Sequence, residues 1–90
     1  MAQVVWTDEA LANLDAIEAY IAQFNPLAAQ RMSLRLMNAG FSLSDQPQRG
    51  RSVRGSLREP AVVRPYLIRY RIDRDVVTIL RVRHGARRPD

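Results

Sequence analysis

A chain of 90 residues with 14 basic and 9 acidic side chains, a formal net charge of +5 and no cysteine is one domain with room for a single small core. Lacking cysteine, it has no disulfides and no thiolate metal sites, and its one histidine, His84, does not make a His-rich site. Asp8 and Glu9 stand too early for a secretory leader and no apolar run approaches the ~18 residues of a membrane span, so the expected location is the cytoplasm, away from membranes.

The charge is unevenly spread. All 14 basic residues are arginines, a bias that a GC-rich genome also produces, but their placement says more. Residues 1–45 hold two Arg against five acids, a balance of −3; residues 46–90 hold twelve Arg against four acids, a balance of +8. A polarised basic half points to an anionic partner, either nucleic acid or an acidic protein segment. Arginine suits both, because its guanidinium meets phosphate or carboxylate with two donors at once. Few aromatic rings are available to stack on bases, which argues against a single-strand nucleic-acid binder.

Residues 3–6, Gln-Val-Val-Trp, form a short β-type run. Thr7 is expected to cap a helix, with Asp8 and Glu9 at its positive end. That helix extends to about Phe24, and Leu14, Ile17, Tyr20, Ile21 and Phe24 fall within one arc of ~120°. Asn25 and Pro26 break it and start a second helix, reaching about Ser44. Here Met32, Leu36, Ala39 and Leu43 form one apolar row; Leu34, Met37 and Phe41 lie roughly opposite; Arg31, Arg35, Asn38 and Ser42 form the polar strip. A helix apolar over more than half its circumference needs cover on more than one side. The short link makes the two helices an antiparallel hairpin. One row can then face the first helix and the other a sheet, or a partner protein covers part of it.

Residues 45–60 carry two Gly, two Pro and four Arg and read as a basic connector. A strand is expected to resume over residues 61–64, with Pro65 marking a bulge or edge. Two β-rich runs then flank Asp73-Arg74-Asp75. If those three residues are the loop, Ile72 lies opposite Val76. Ile68, Tyr70, Ile72, Leu80 and Val82 then share a core face, and Arg69, Arg71, Arg81 and Arg83 share the other. A two-residue turn reverses the second strand relative to the first. The three-residue loop is preferred because it segregates the charges. Four arginines on one face repel each other unless an anion joins them or the side chains splay apart in solvent. No internal repeat is present, and the order β-α-α-β-β-β over a single domain 1–90 gives an α+β class: a helical hairpin packed on a small twisted antiparallel β-sheet.

The catalytic inventory is thin. His84 is the one side chain suited to moving protons near neutral pH, and in RNA cleavage Arg81 or Arg69 would stabilise the charged transition state. The plainer reading is a structural histidine at a strand end. Asp73, Asp75 and Glu59 lack metal-ligand spacing and no Gly-rich phosphate loop occurs, so neither metal nor cofactor is expected.

Taken in order, several segments resemble the RelE/ParE superfamily of bacterial toxins from type II toxin–antitoxin modules. They are Val5-Trp6-Thr7-Asp8-Glu9-Ala10 with Leu14 and Ile17, then Tyr20-Ile21 before Asn25-Pro26, and Ala28-Ala29 after it. Val53-Arg54, Tyr66-Leu67-Ile68-Arg69-Tyr70-Arg71 and the ending from Val77 to Arg88 complete the set. That ending is similar to the ParE one, with Arg83 standing where an apolar residue is usual. The resemblance implies two helices on a twisted antiparallel sheet. It implies a toxin that poisons DNA gyrase, blocks replication and inhibits growth, a role that needs no enzymatic activity of its own. It also implies a cognate antitoxin with a ribbon-helix-helix DNA-binding part, whose C-terminal segment wraps the toxin, so that operator DNA is met only through the antitoxin. On this reading Arg81, Arg83, His84, Arg87 and Arg88 bind the target, and Leu34, Met37, Phe41, Arg69 and Arg71 bind the antitoxin. The alternative is the RelE branch of ribosome-dependent mRNA endonucleases, with Arg64, Arg69 and Arg81 around the phosphate and His84 as catalyst, although no Tyr follows Tyr70 and no Lys is present. A third reading is a basic nucleic-acid-binding module without activity.

Overall fold

The computed structural model describes residues 2–45, 51–55, 57–59 and 63–85. Strand β1 is Gln3–Trp6. Thr7 follows in extended geometry, and its hydroxyl accepts the Ala10 N–H at 3.0 Å, which starts helix α1, Asp8–Ala22. Asn25 repeats the device on the Ala28 N–H at 3.0 Å, and Pro26 opens helix α2, Pro26–Phe41. Both helices end slightly before their expected limits, α2 tightening into a 3₁₀ turn over Ser42–Ser44.

The connector is not all loop. It supplies two short strands, β2 (Arg51–Arg54) and β3 (Leu57–Glu59), joined through Gly55 at φ +54°, a conformation that glycine adopts without strain. The strand expected over residues 61–64 is not there as such. Ala61 and Val62 lie outside the described residues, and Val63 makes a single antiparallel bridge to Tyr66 across a turn at Arg64 and Pro65. Strands β4 (Tyr66–Asp73) and β5 (Val76–His84) complete a sheet of order β1-β5-β4-β3-β2. Pairing is antiparallel from β5 to β2, whereas β1 joins β5 in parallel, from Gln3 opposite Val76 to Trp6 opposite Ile79. The α+β class and the helical hairpin on a sheet are as the sequence implies.

The β4–β5 register departs from expectation twice. The turn has two residues, Arg74 and Asp75, because Asp73 pairs with Val76, and Arg74 takes φ +57°. This turns Val77 and Ile79, not Val76 and Thr78, toward the face of Tyr70. Then Tyr70 pairs with Ile79 while Arg69 pairs with Arg81, so Leu80 is an extra residue, a β-bulge. The bulge reverses the alternation once more and brings Val82 opposite Ile68. Ile68, Tyr70, Val77, Ile79 and Val82 are therefore buried and Ile72 is partly buried, while Leu80, expected in the core, is half-exposed at the bulge.

Both helices cover this face in one layer, and each has room to bury one stripe. Ala10 and Leu14 of α1 and Leu36 of α2 are buried with Leu43, while Ile17, Ile21, Met32 and Ala39 pack at the margin. Gly40 permits the close approach of α2: a Cβ there would stand 2.3 Å from the Trp6 ring and 2.8 Å from Ile79. The second row of α2 does not face the sheet. Leu34, Met37 and Phe41 are exposed at 61%, 37% and 48%, as are Tyr20 of α1 and Phe24 just past its end at 60% and 73%. With one sheet face and two helices sharing it, the opposite rows stay largely exposed, although Phe41 meets the Trp6 ring edge-on at 5.9 Å.

Candidate functional site

Two surfaces carry the chemistry that the sequence singles out. The first is the outer face of the β4–β5 pair. Arg69 lies opposite Arg81, Leu67 opposite Arg83 and Arg71 opposite Thr78, so the pleat places Arg69, Arg71, Arg81 and Arg83 on one side. Residues opposite each other in an antiparallel pair have Cβ atoms roughly 5 Å apart, and like charges there are unfavourable. Arg81 relieves this by leaning around the strand: its Nη2 lies 3.0 Å from Glu9 Oε2 on α1.

That ion pair closes one end of the second surface. β1 pairs with β5 only as far as Ile79, so β5 projects past it, and the start of α1 takes over the bare edge. The Thr7 N–H donates to the Ile79 carbonyl at 3.0 Å, and the Thr7 hydroxyl donates to the Leu80 carbonyl at 3.0 Å. The Val82 N–H donates to Asn13 Oδ1 at 2.9 Å. These bonds satisfy strand groups that would otherwise lack partners at a partly buried edge. Between α1 and the projecting strand lies an open groove of about 770 Å³. Glu9, Asn13, Ala16, Ile17 and Tyr20 line it from α1, Arg81, Val82, Arg83 and His84 from β5, and Pro65 and Tyr66 complete the lining. The His84 ring meets Tyr66 edge-on with centroids 5.6 Å apart, and Arg83 Nη1 donates to the His84 carbonyl at 3.3 Å. The groove thus sets two guanidinium groups and an imidazole against one carboxylate, with apolar and polar surface mixed along its lining. Such a set of side chains can pair with an anionic group.

Of the residues expected at the target surface, Arg81, Arg83 and His84 come together here, while Arg87 and Arg88 lie outside the described residues. The endonuclease set does not assemble around one cavity: Arg64 is exposed in the turn before β4 and Arg69 sits on the outer sheet face, and neither lines the groove holding Arg81 and His84. The residues expected to meet an antitoxin divide between two sides of the molecule. Leu34, Met37 and Phe41 form the exposed row of α2, and Arg69 and Arg71 lie beyond the sheet. Sequence reading misses Glu9, Asn13 and Tyr66 as members of a groove. Glu9, Asn13, Ile17 and Tyr20 recur at helical spacing and trace a continuous stripe along α1, and that is the signal that marks them. Among the described residues no cluster of three or more His, Asp or Glu side chains is close enough to hold a metal ion. No described helix is long and apolar enough to cross a membrane.

A helical hairpin on a five-stranded sheet, with an arginine-rich outer face and an unburied apolar helix row, makes a small α+β domain, and the chain belongs to the family of ParE toxins of type II toxin–antitoxin systems (parDE), whose model matches residues 4–89. Among its relatives is "Toxin RelE2" of Caulobacter vibrioides, 59% identical over 87 residues, which span 97% of this chain and 99% of that one. The Sinorhizobium fredii protein Y4kP is 44% identical over 85 residues, covering 92% of this chain and 88% of its own. A solved structure of a chromosomal ParDE system from P. aeruginosa superposes with a TM-score of 0.79 at 26% identity, covering 93% of this chain and 96% of that one.

Proposed function

We propose that this toxin inhibits DNA gyrase, and so replication, and that a cognate antitoxin neutralises it. The observation that carries the reading is the match to ParE toxins through the C-terminal arginine segment, whose described part is the end of β5, paired with β4 but extending beyond β1. On this reading Arg81, Arg83 and His84 at the end of β5 contact the target, with Arg87 and Arg88 of the same sequence segment. The antitoxin pairs a ribbon-helix-helix DNA-binding part with a segment that covers Leu34, Met37 and Phe41 and reaches Arg69 and Arg71. Operator DNA is bound only through it, and the complex works in the cytoplasm, where gyrase and DNA are. A supercoiling assay with purified gyrase tests the target. Inhibition or accumulated cleavage complexes are expected, with loss of potency in Arg81→Gln and Arg83→Gln. Unchanged supercoiling at excess toxin would sink the gyrase reading.

A second reading, a RelE-like mRNA endonuclease, draws support from the groove, where His84, Tyr66 and Arg81 stand together. Primer extension on translated mRNA then shows new 5′ ends that His84→Ala removes. Cuts that persist in that variant rule out His84 as the catalyst.

A further inference from the structure

The α1–β5 groove differs from both surfaces assigned above to the antitoxin, and its own chemistry says what fits it. We infer that it accepts an extended segment of a partner protein in which carboxylates alternate with apolar side chains, and that Glu9 holds the place of one partner carboxylate until the segment arrives. This inference is independent of which target the toxin inhibits.

Charge is the first observation. Arg81, Arg83 and His84 line the groove, with Glu9 the one carboxylate among its lining residues. Glu9 pairs with Arg81 at 3.0 Å, yet its side chain stays 57% exposed while that of Arg81 is 28% exposed. A pair so open to water is worth little, so a second carboxylate that also gains apolar contacts displaces Glu9. Apolar surface is the second observation. Ala16, Ile17, Tyr20 and Pro65 offer it among the groove's lining residues, which rewards alternating apolar side chains. Extent is the third. Tyr20 forms part of the groove wall and meets Phe24 edge-on at 5.6 Å, both rings largely exposed, so the apolar track continues past the groove along α1. A cavity of about 770 Å³ takes several side chains of such a segment.

Fluorescence anisotropy on the full chain tests this. The probe is a short labelled peptide of alternating Glu and Leu; polyglutamate of equal length and a DNA duplex of matched charge are the comparison probes. Glu9→Gln is set against Glu18→Gln, which removes the same charge from the same helix outside the groove. Arg81→Gln is set against Arg74→Gln, which removes the same charge at the β4–β5 turn. The inference expects Glu9→Gln to bind the Glu-Leu peptide about three- to tenfold tighter than Glu18→Gln, and Arg81→Gln to bind about tenfold more weakly than Arg74→Gln. Tyr20→Glu, a change at an exposed position, weakens the same peptide. Equal shifts within either charge-matched pair overturn the inference, as does failure of the peptide to bind at all. Polyglutamate binding as well as the Glu-Leu peptide removes the apolar surface from the account. A duplex that gains as much from Glu9→Gln as the peptide does makes the groove a nucleic-acid site instead.

Discussion

The outer face of the sheet and the outer row of α2 are both left toward solvent, but they are built from opposite chemistry. On the sheet, Arg69, Arg71 and Arg83 alternate with the buried side chains of their own strands. On α2, Leu34, Met37 and Phe41 lie half a turn from the buried Leu36. One surface accumulates like charge and the other accumulates apolar area. A partner gains on each for a different reason: Coulomb attraction at the sheet, which salt screens, and removal of apolar surface from water at the helix, which salt does not weaken. Two such surfaces on one small toxin let a single wrapping chain be held by two forces that respond differently to the medium.

Neighbouring residues on β4 give the largest contrast. Ile68→Ala opens a cavity under the helices and is expected to cost about 3–4 kcal/mol in urea denaturation, whereas Arg69→Ala, on the opposite side of the strand, stays within about 0.5 kcal/mol. Similar losses from both would break the two-face description. Next comes Gly40→Ala, whose methyl group meets Trp6 and Ile79; overpacking should remove about 2 kcal/mol, read by the same measurement. Asn13→Ala is smaller, about 1 kcal/mol, from the Val82 N–H left without its acceptor, and slower hydrogen exchange at Val82 in that variant would contradict it. Leu34→Ser should scarcely alter the free toxin, yet reduce the rise in melting temperature that antitoxin produces. Arg71→Gln should do the same only at low ionic strength, since at about 1 M salt charges are screened within ~3 Å. If both variants lose affinity alike in high and low salt, the two surfaces are not chemically distinct.

Much of this was legible in the sequence because the signals are local. Thr7, and Asn25 with Pro26, start helices where capping chemistry places them, and the apolar row through Leu36 and Leu43 is buried as its period requires. The arginine face was legible for a less direct reason. The turn is one residue shorter than charge segregation suggests, and the bulge at Leu80 adds one residue back, so the two offsets cancel beyond it. Arg81, Val82 and Arg83 end on the faces expected of them, while between turn and bulge the alternation is inverted and Val77 and Ile79 take the core. Propensity does not encode a bulge, which is set by pairing across strands distant in sequence. The β2–β3 hairpin was hidden by its arginines, although Gly55-Ser56 between short alternating runs is a turn signal. The groove was illegible for a third reason: it joins α1 to the far end of β5, and no local pattern reports that contact.

The parallel pairing of β1 with β5 carries a consequence for how the toxin is made. The last described strand lies inside the sheet, between the first strand and β4, and it contributes Val77, Ile79 and Val82 to the core. A ribosome that has delivered residues 3–75 has therefore produced two edges with the strand between them missing, and a helical hairpin with half its seat absent. Such long-range closure waits for the final segment to emerge and sets the pace of folding. The same segment carries Arg81, Arg83 and His84, so the sheet closes only when the residues of the proposed target surface join it.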